Sequence, residues 1–214
     1  MIRVLLADDH AIVRAGLKEI LAGTGDIAVA AEATNGHEVL ERVRAADFDV
    51  AVLDMSMPGR SGIELIKQIK GEKPKLRILV LTMHSEEQYA VRALRAGASG
   101  YLTKDSATEQ LVAAIRRIAA GGAYVSAETA EQLARDAVPR TDAAPHTLLS
   151  DREFQVFRMI AGGKSVGAIA KQLSLSVKTV STHKTRILEK LNLSSTADLV
   201  RYALDHKLLD ESGG

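Results

Sequence analysis

Residues 50–59 read Val50-Ala51-Val52-Leu53-Asp54-Met55-Ser56-Met57-Pro58-Gly59. A short aliphatic run with no polar alternation has the pattern of a strand buried on both faces, as in a parallel sheet. It ends on one carboxylate, and Pro58-Gly59 stops it. Similar runs recur at 2–7, 27–31, 78–81 and 100–102. Amphipathic stretches lie between them at 11–22, 36–45, 62–69 and 87–96. A last one follows at 107–120, where Leu111, Ile115 and Ile118 repeat at helical spacing. Five strand–helix repeats predict an α/β domain, a doubly wound five-stranded parallel sheet with helices on both faces.

Past residue 122 the pattern changes. A further helix is predicted at 127–137, and the stretch from Val138 to Thr147 then carries Pro139 and Pro145 with few apolar residues, the composition of a linker. From Leu148 the chain reads as all-helical. Ser150 and Glu153 form a capping box ahead of Phe154, Val156, Phe157 and Ile160, and Gly162-Gly163 ends that helix. Ser165 opens a second helix, Ser174-Leu175-Ser176 makes a short turn, and a third, longer helix spans 177–191. Asn192-Leu193-Ser194-Ser195 breaks it ahead of a last helix ending at His206. The expected organisation is an α/β domain over 1–122, a linker with a helix over 123–147, and an all-α domain over 148–214.

The 214 residues, 46% hydrophobic and 26% charged, match a globular protein, and no apolar run approaches a membrane span. Met1 leads straight into a strand-like run followed by acids, unlike a signal peptide, so the cytoplasm is the expected location and no membrane partner is expected. With no cysteine, disulfides, thiolate metal sites and cysteine catalysis are excluded. The net charge is +1 but unevenly spread: 10 basic against 7 acidic side chains from Leu148 on, and 18 against 20 before it. A basic back half suits a polyanionic partner.

In a doubly wound sheet, ligands bind beyond the carboxyl ends of the strands. There the sequence places Asp8 and Asp9 after the first strand, Asp54 at the end of the third, Thr82 at the end of the fourth and Lys104 just past the fifth. Three carboxylates gathered there need a cation between them. Oxygen donors with no His or Cys read into the cluster favour Mg2+. Asp54 is then placed to act as a nucleophile on phosphorus, with Lys104 offsetting charge on the phosphoryl oxygens and the Thr82 hydroxyl bonding them. The bland alternative is that Asp8 and Asp9 cap the helix starting near Ala11 and that Lys104 is a surface lysine.

Asp8-Asp9, the run 50–54 with Met57-Pro58-Gly59 and Gly62, Thr82, and Tyr101-Leu102-Thr103-Lys104 together resemble the receiver domain of response regulators, over the whole front domain. The resemblance implies that Asp54 accepts a phosphoryl group from a sensor histidine kinase. It implies that Asp9, Asp54 and the Ser56 backbone carbonyl hold Mg2+, with Asp8 assisting through water. It also implies a switch in which Thr82 moves toward the phosphate and Tyr101 turns inward. Asp105 follows Lys104 where many receivers have proline, which is closest to the NarL/FixJ group. Ser56 and His84 are expected beside the pocket, tuning phosphate lifetime.

In the back domain the short second helix, tight turn and long third helix suggest a helix-turn-helix whose last member enters the major groove. Val180, Ile187 and Leu191 share a core face; Lys178, Ser181, Thr182, Thr185 and Glu189 lie opposite, with Lys184 and Arg186 at the margins. The stretches from Leu149 to Phe157, Ala161 to Ser165, Ile169 to Leu173 and Ser176 to Lys184 resemble the LuxR-type DNA-binding domain. Val166 stands where that pattern has Asn. The resemblance implies that Lys178, Thr179, Ser181, Thr182, Lys184, Thr185 and Arg186 face double-stranded promoter DNA. It implies that the last helix, through Leu199, Val200 and Ala203, pairs two copies into a homodimer when active. The expected function is a phosphorylation-switched transcription regulator, not an enzyme beyond self-phosphorylation from phosphodonors and autodephosphorylation. Two alternatives stay open: a Mg2+-dependent phosphatase, disfavoured because Ser56 occupies the position of its second acid, and a receiver that serves only as a docking or dimerisation surface.

Overall fold

The computed structural model describes residues 1–58, 62–82, 87–136, 144–206 and 208–209. It divides into two compact units, Met1–Leu133 and Ala134–Gly214.

In the first unit, strands β1 (Ile2–Ala7), β2 (Ile27–Ala33), β3 (Val50–Asp54), β4 (Arg77–Thr82) and β5 (Gly100–Thr103) alternate with helices α1 (Ala11–Ala22), α2 (Gly36–Ala45), α3 (Gly62–Glu72), α4 (Glu87–Arg95) and α5 (Lys104–Ala119). All neighbouring strands are parallel, in the order β2-β1-β3-β4-β5. The predicted fold is therefore the observed one. Side chains of a strand alternate between faces. Val4, Leu6, Val50, Val52, Leu79, Leu81 and Leu102 pack with Leu17 and Leu21 of α1 and Leu111, Ile115 and Ile118 of α5. Intervening residues such as Leu5, Leu53, Ile78 and Val80 are equally buried. Both faces are covered, which is why these strands read as unbroken aliphatic runs.

The segment expected to begin the linker is partly built into this unit. Tyr124 forms a parallel bridge with Gly100 of β5, and helix α6 (Ala127–Asp136) follows. Backbone pairing at a sheet edge leaves no mark on a sequence as short as Gly122-Ala123-Tyr124. Residues 137–143, which carry the predicted linker composition, lie outside the described residues.

The second unit holds a 3-10 turn (Pro145–Leu148) and helices α7 (Asp151–Ala161), α8 (Val166–Gln172), α9 (Val177–Leu191) and α10 (Thr196–Asp205). Each helix starts at a serine whose side chain accepts from a backbone N–H three residues on: Ser150, Ser165, Ser176 and Ser195. Ser150 and Glu153 complete the predicted reciprocal box. These caps satisfy donors that a helix start leaves unpaired. Phe154 and Phe157, both fully buried, stack on each other, and Val180, Ile187 and Leu199 are fully buried as well. Asn192 takes the left-handed conformation (φ 53°) that closes α9.

Candidate functional site

β1 and β3 are neighbours, yet the chain leaves them in opposite directions across the sheet, so a crevice opens beyond their carboxyl ends. Asp8 follows β1, Asp54 closes β3, and both are 1% exposed. Lys104, the first residue of α5, reaches between them: its Nζ lies 2.7 Å from Asp8 Oδ2 and 2.9 Å from Asp54 Oδ2. The Ser56 backbone N–H donates to Asp54 Oδ1 at 3.1 Å. Thr82, fully buried, stands one residue beyond Leu81, the β4 partner of Asp54. Tyr101 is buried on β5.

One imbalance governs the charges. A single ammonium serves two buried carboxylates. Burial pushes the Asp54 carboxyl above its ordinary value, and the Lys104 and Ser56 donors do not cancel that push. Burial also opposes the Lys104 charge, but the carboxylates on either side outweigh it and hold the ammonium above its ordinary value. Asp8 Oδ2 has no aligned hydrogen-bond donor among the described residues, only the ion pair with Lys104. Asp8, Asp9, His10 and Asp54 each bring a ligand atom, all within 4.8 Å of one another. A crowded oxygen set with an under-satisfied buried oxygen fits a hard divalent cation.

α1 begins after His10 with no side-chain cap, and Lys104 is only 8% exposed at its side chain. The capping and surface-lysine alternative therefore does not describe these residues. The expectation of a cluster without histidine needs correction: the exposed His10 Nδ1 lies 3.1 Å from Asp9 Oδ1 and 3.3 Å from Asp8 Oδ1. Its place directly after Asp8-Asp9 was the available signal. Gly59 and His84 lie outside the described residues.

The second candidate surface is α9. Lys178, Thr179, Ser181, Thr182, Thr185 and Arg186 are exposed, Lys184 is half-buried, and Val180, Ile187 and Leu191 face the core. The Thr182 and Thr185 hydroxyls donate to the carbonyls of Lys178 and Ser181, at 3.0 and 3.2 Å. Val177 opens the helix 57% exposed, an apolar contact point that a core-versus-polar division of the helix overlooks.

Matches to known proteins follow the same division. Residues 4–116 match the family model "Response regulator receiver domain", and residues 147–203 match "Bacterial regulatory proteins, luxR family". The response regulator GacA of Pseudomonas viridiflava is 39% identical over 99% of this chain and all of its own length. The oxygen regulatory protein NreC of Staphylococcus carnosus is 40% identical over 97% of this chain and 99% of its own. Among solved structures, the response regulator RcsB of Salmonella typhimurium superposes with a TM-score of 0.73 at 30% identity, covering 95% of this chain and 97% of RcsB. Another RcsB structure holds two dimers on two parallel DNAs, with a TM-score of 0.59 at 30% identity, covering 95% of this chain and 98% of that one. The chain belongs to the NarL/FixJ family of two-component response regulators. It joins a receiver to a LuxR-type DNA-binding domain, as DNA-binding regulators of this family do.

One expectation for this response regulator changes. Leu199 and Ala203 are fully buried within the back unit, on the helix that packs against α7. Neither offers a surface to a second copy. Val200 is half-buried, and Leu204, 61% exposed, is the large apolar residue that α10 presents outward. Helical periodicity marks an apolar stripe without saying whether it faces inward or toward a partner. Among the described residues, no helix is long and apolar enough to cross a membrane.

Proposed function

We propose that Asp54 is the phosphoacceptor of a cytoplasmic transcription regulator, charged by a sensor histidine kinase, and that its phosphorylation controls promoter binding through α9. The observation that carries this reading is Lys104 lying 2.9 Å from a buried, singly offset Asp54 in a chain that also presents a recognition helix. An Asp54 carboxylate oxygen attacks phosphorus; the P–N bond of the donor phosphohistidine breaks as the acyl phosphate forms, and the imidazole leaves with the bonding pair. Lys104, already between the two carboxylates, offsets charge on the phosphoryl oxygens without moving far. The Thr82 hydroxyl hydrogen-bonds a phosphoryl oxygen, and Tyr101 follows it as the second switch residue. Mg2+, held by Asp9, Asp54 and the Ser56 carbonyl with Asp8 assisting through water, would supply charge neutralisation on the same oxygens. Small phosphodonors give the same acyl phosphate, and water attack on phosphorus reverses it. Functionally the chain divides into the receiver over 1–122, a linker over 123–147 and the DNA-binding domain over 148–214.

On DNA, Lys178, Lys184 and Arg186 hold phosphates and set register, while Thr179, Ser181, Thr182 and Thr185 face base edges. The donors of Thr182 and Thr185 are spent on the helix backbone, which leaves them to accept from base amino groups or to meet a thymine methyl, as Val177 does. Two copies would read an inverted repeat, paired through Val200 and Leu204 of α10; the binding of RcsB dimers to DNA supports the dimeric part of this reading.

The deciding experiment is intact mass after incubation with Mg2+ and a small phosphodonor. Wild type should gain one phosphoryl group and Asp54→Ala none. No gain in either protein would sink the phosphoacceptor assignment and leave the receiver as a docking surface.

A further inference from the structure

β5 is the outer strand of the sheet, and one residue beyond α5 occupies its free edge. The Tyr101 N–H donates to the Tyr124 carbonyl at 2.9 Å, and the Tyr124 N–H donates to the Ser99 carbonyl at 3.1 Å. The approach requires glycine at position 100. A Cβ there would stand 2.8 Å from the Tyr124 carbonyl oxygen and 2.7 Å from Ile118 Cδ1. The Tyr124 phenol donates to Gln110 Oε1 on α5 at 3.0 Å, and its ring packs on the core that Ile118 belongs to. Two residues further on, Ser126 starts α6 by accepting from the Thr129 N–H, and Thr129 is itself buried. Tyr101, Thr103, Gln110, Tyr124, Ser126 and Thr129 line one cavity of about 350 Å³.

These contacts clip the start of the linker to the edge of β5 through one isolated bridge. The bridge partner of Tyr124 is Gly100, the Tyr124 carbonyl accepts from the Tyr101 N–H, and Tyr101 lines the same cavity. Helix α6 is the last described element before residues 137–143, and the chain continues from it to the DNA-binding domain, so a signal that travels along the chain passes through α6. Two edge hydrogen bonds suit this: a strand shift of a fraction of an ångström either drags the paired residue along or parts it from the strand.

We propose that Tyr124 is a positioning residue that acts through Tyr101: its backbone clip to β5 passes the state of the receiver to α6 and so to the DNA-binding domain. This rests on the reading that phosphorylation of Asp54 controls DNA binding, and the test separates the two. The full chain is compared as wild type, Gly100→Ala, Tyr124→Pro and Tyr124→Phe. Gly100→Ala crowds the clip, Tyr124→Pro removes its N–H donor, and Tyr124→Phe keeps the ring and the backbone bonds while losing only the hydroxyl that donates to Gln110. The probe is a duplex selected from random sequence by the phosphorylated wild type. Phosphoryl uptake is followed by intact mass, clip opening by amide exchange at Tyr101 in every protein and at residue 124 in all but Tyr124→Pro, and affinity is measured with and without phosphorylation.

Wild type should gain about tenfold in affinity on phosphorylation, a typical coupling, with changed exchange at both amides. Gly100→Ala and Tyr124→Pro should take up the phosphoryl group as wild type does, yet bind DNA alike in both states. Tyr124→Phe should keep the wild-type ratio. A wild-type ratio retained in Gly100→Ala and Tyr124→Pro, with their exchange showing the clip open, would overturn the relay. So would unchanged exchange in phosphorylated wild type, or loss of phosphoryl uptake in both clip variants, which would make the clip a support of the pocket. Wild type that takes up phosphate without any change in affinity would remove the regulatory reading itself, and the relay with it.

Discussion

At the base of the front pocket two carboxylates are buried beside one cation: Asp8 and Asp54 are 1% exposed, and one ammonium stands within 2.9 Å of each. Along α9 the side chains proposed to meet DNA are mostly exposed, and the hydrogen bonds of Thr182 and Thr185 go to their own helix. The pocket handles one small, fixed chemical group, so its charges can be set in advance and charged for by burial. The helix meets a long polyanion whose base sequence varies, so its surface stays hydrated until it binds. The difference teaches where each site's energy lies: in the pocket within the folded protein, on the helix only in the complex.

Breaking the pocket should therefore cost stability before it costs chemistry. Lys104→Met keeps the aliphatic stem and leaves two buried carboxylates without their cation. Loss of one partner of a buried ion pair costs about 3 kcal/mol or more. Here proton uptake by one carboxyl keeps the loss at the lower end. Urea unfolding of the receiver in EDTA should show that drop, and Mg2+ at about a hundredfold excess over its Kd should restore about 2.7 kcal/mol. A midpoint equal to wild type in EDTA would mean that the pocket is not held together by its charges.

The same contrast explains what the sequence made legible. The sheet was readable because Val50–Asp54 and its counterparts are buried on both faces, which removes polar alternation and leaves only length and β-branching to recognise. The pocket was readable because strand ends in this topology converge, so Asp8, Asp54, Thr82 and Lys104 could be placed together from chain position alone. His10 escaped because its side chain turns back from the helix start onto acids at the rim. The pairing of Tyr124 to β5 escaped because it is made by backbone atoms that every residue carries. Leu199 and Ala203 misled because one apolar stripe serves equally for a core and for an interface.

On the helix, the contrast sharpens into a split between two kinds of substitution. Thr182→Ala should cost about 1–3 kcal/mol on a selected duplex and little on a random one, if its oxygen or methyl reads a base. Lys178→Ala should weaken both duplexes alike and reduce the salt slope by about one. Neither should move the unfolding midpoint, since both side chains are exposed and leave no buried group unpaired. Titrations across salt concentrations separate the two. Equal losses on selected and random DNA for Thr182→Ala would take that residue out of the base-reading set.

The smallest effect concerns a place where the back unit uses the pocket's strategy. Glu153 of α7 is 4% exposed, bonds the Ser150 N–H at 2.8 Å and pairs with Lys190 near the end of α9 at 2.6 Å. Burial pushes this carboxyl up, but Lys190 and the Ser150 donors outweigh it and hold it below its ordinary value near 4.5. A carboxyl depressed in the fold adds stability that is complete above its unfolded value and is lost as pH falls through the folded one. Lys190 is partly exposed, so solvent screens the pair and much of the contribution comes from the cap, worth about 1 kcal/mol. Urea midpoints of the back unit should thus fall as pH drops below about 4.5, and Glu153→Gln should flatten that dependence while lowering the plateau. An unchanged slope in the variant would show that α9 is seated by its apolar face alone. A flattened slope would show that the exposed reading surface stands on a small buried charge pair behind it.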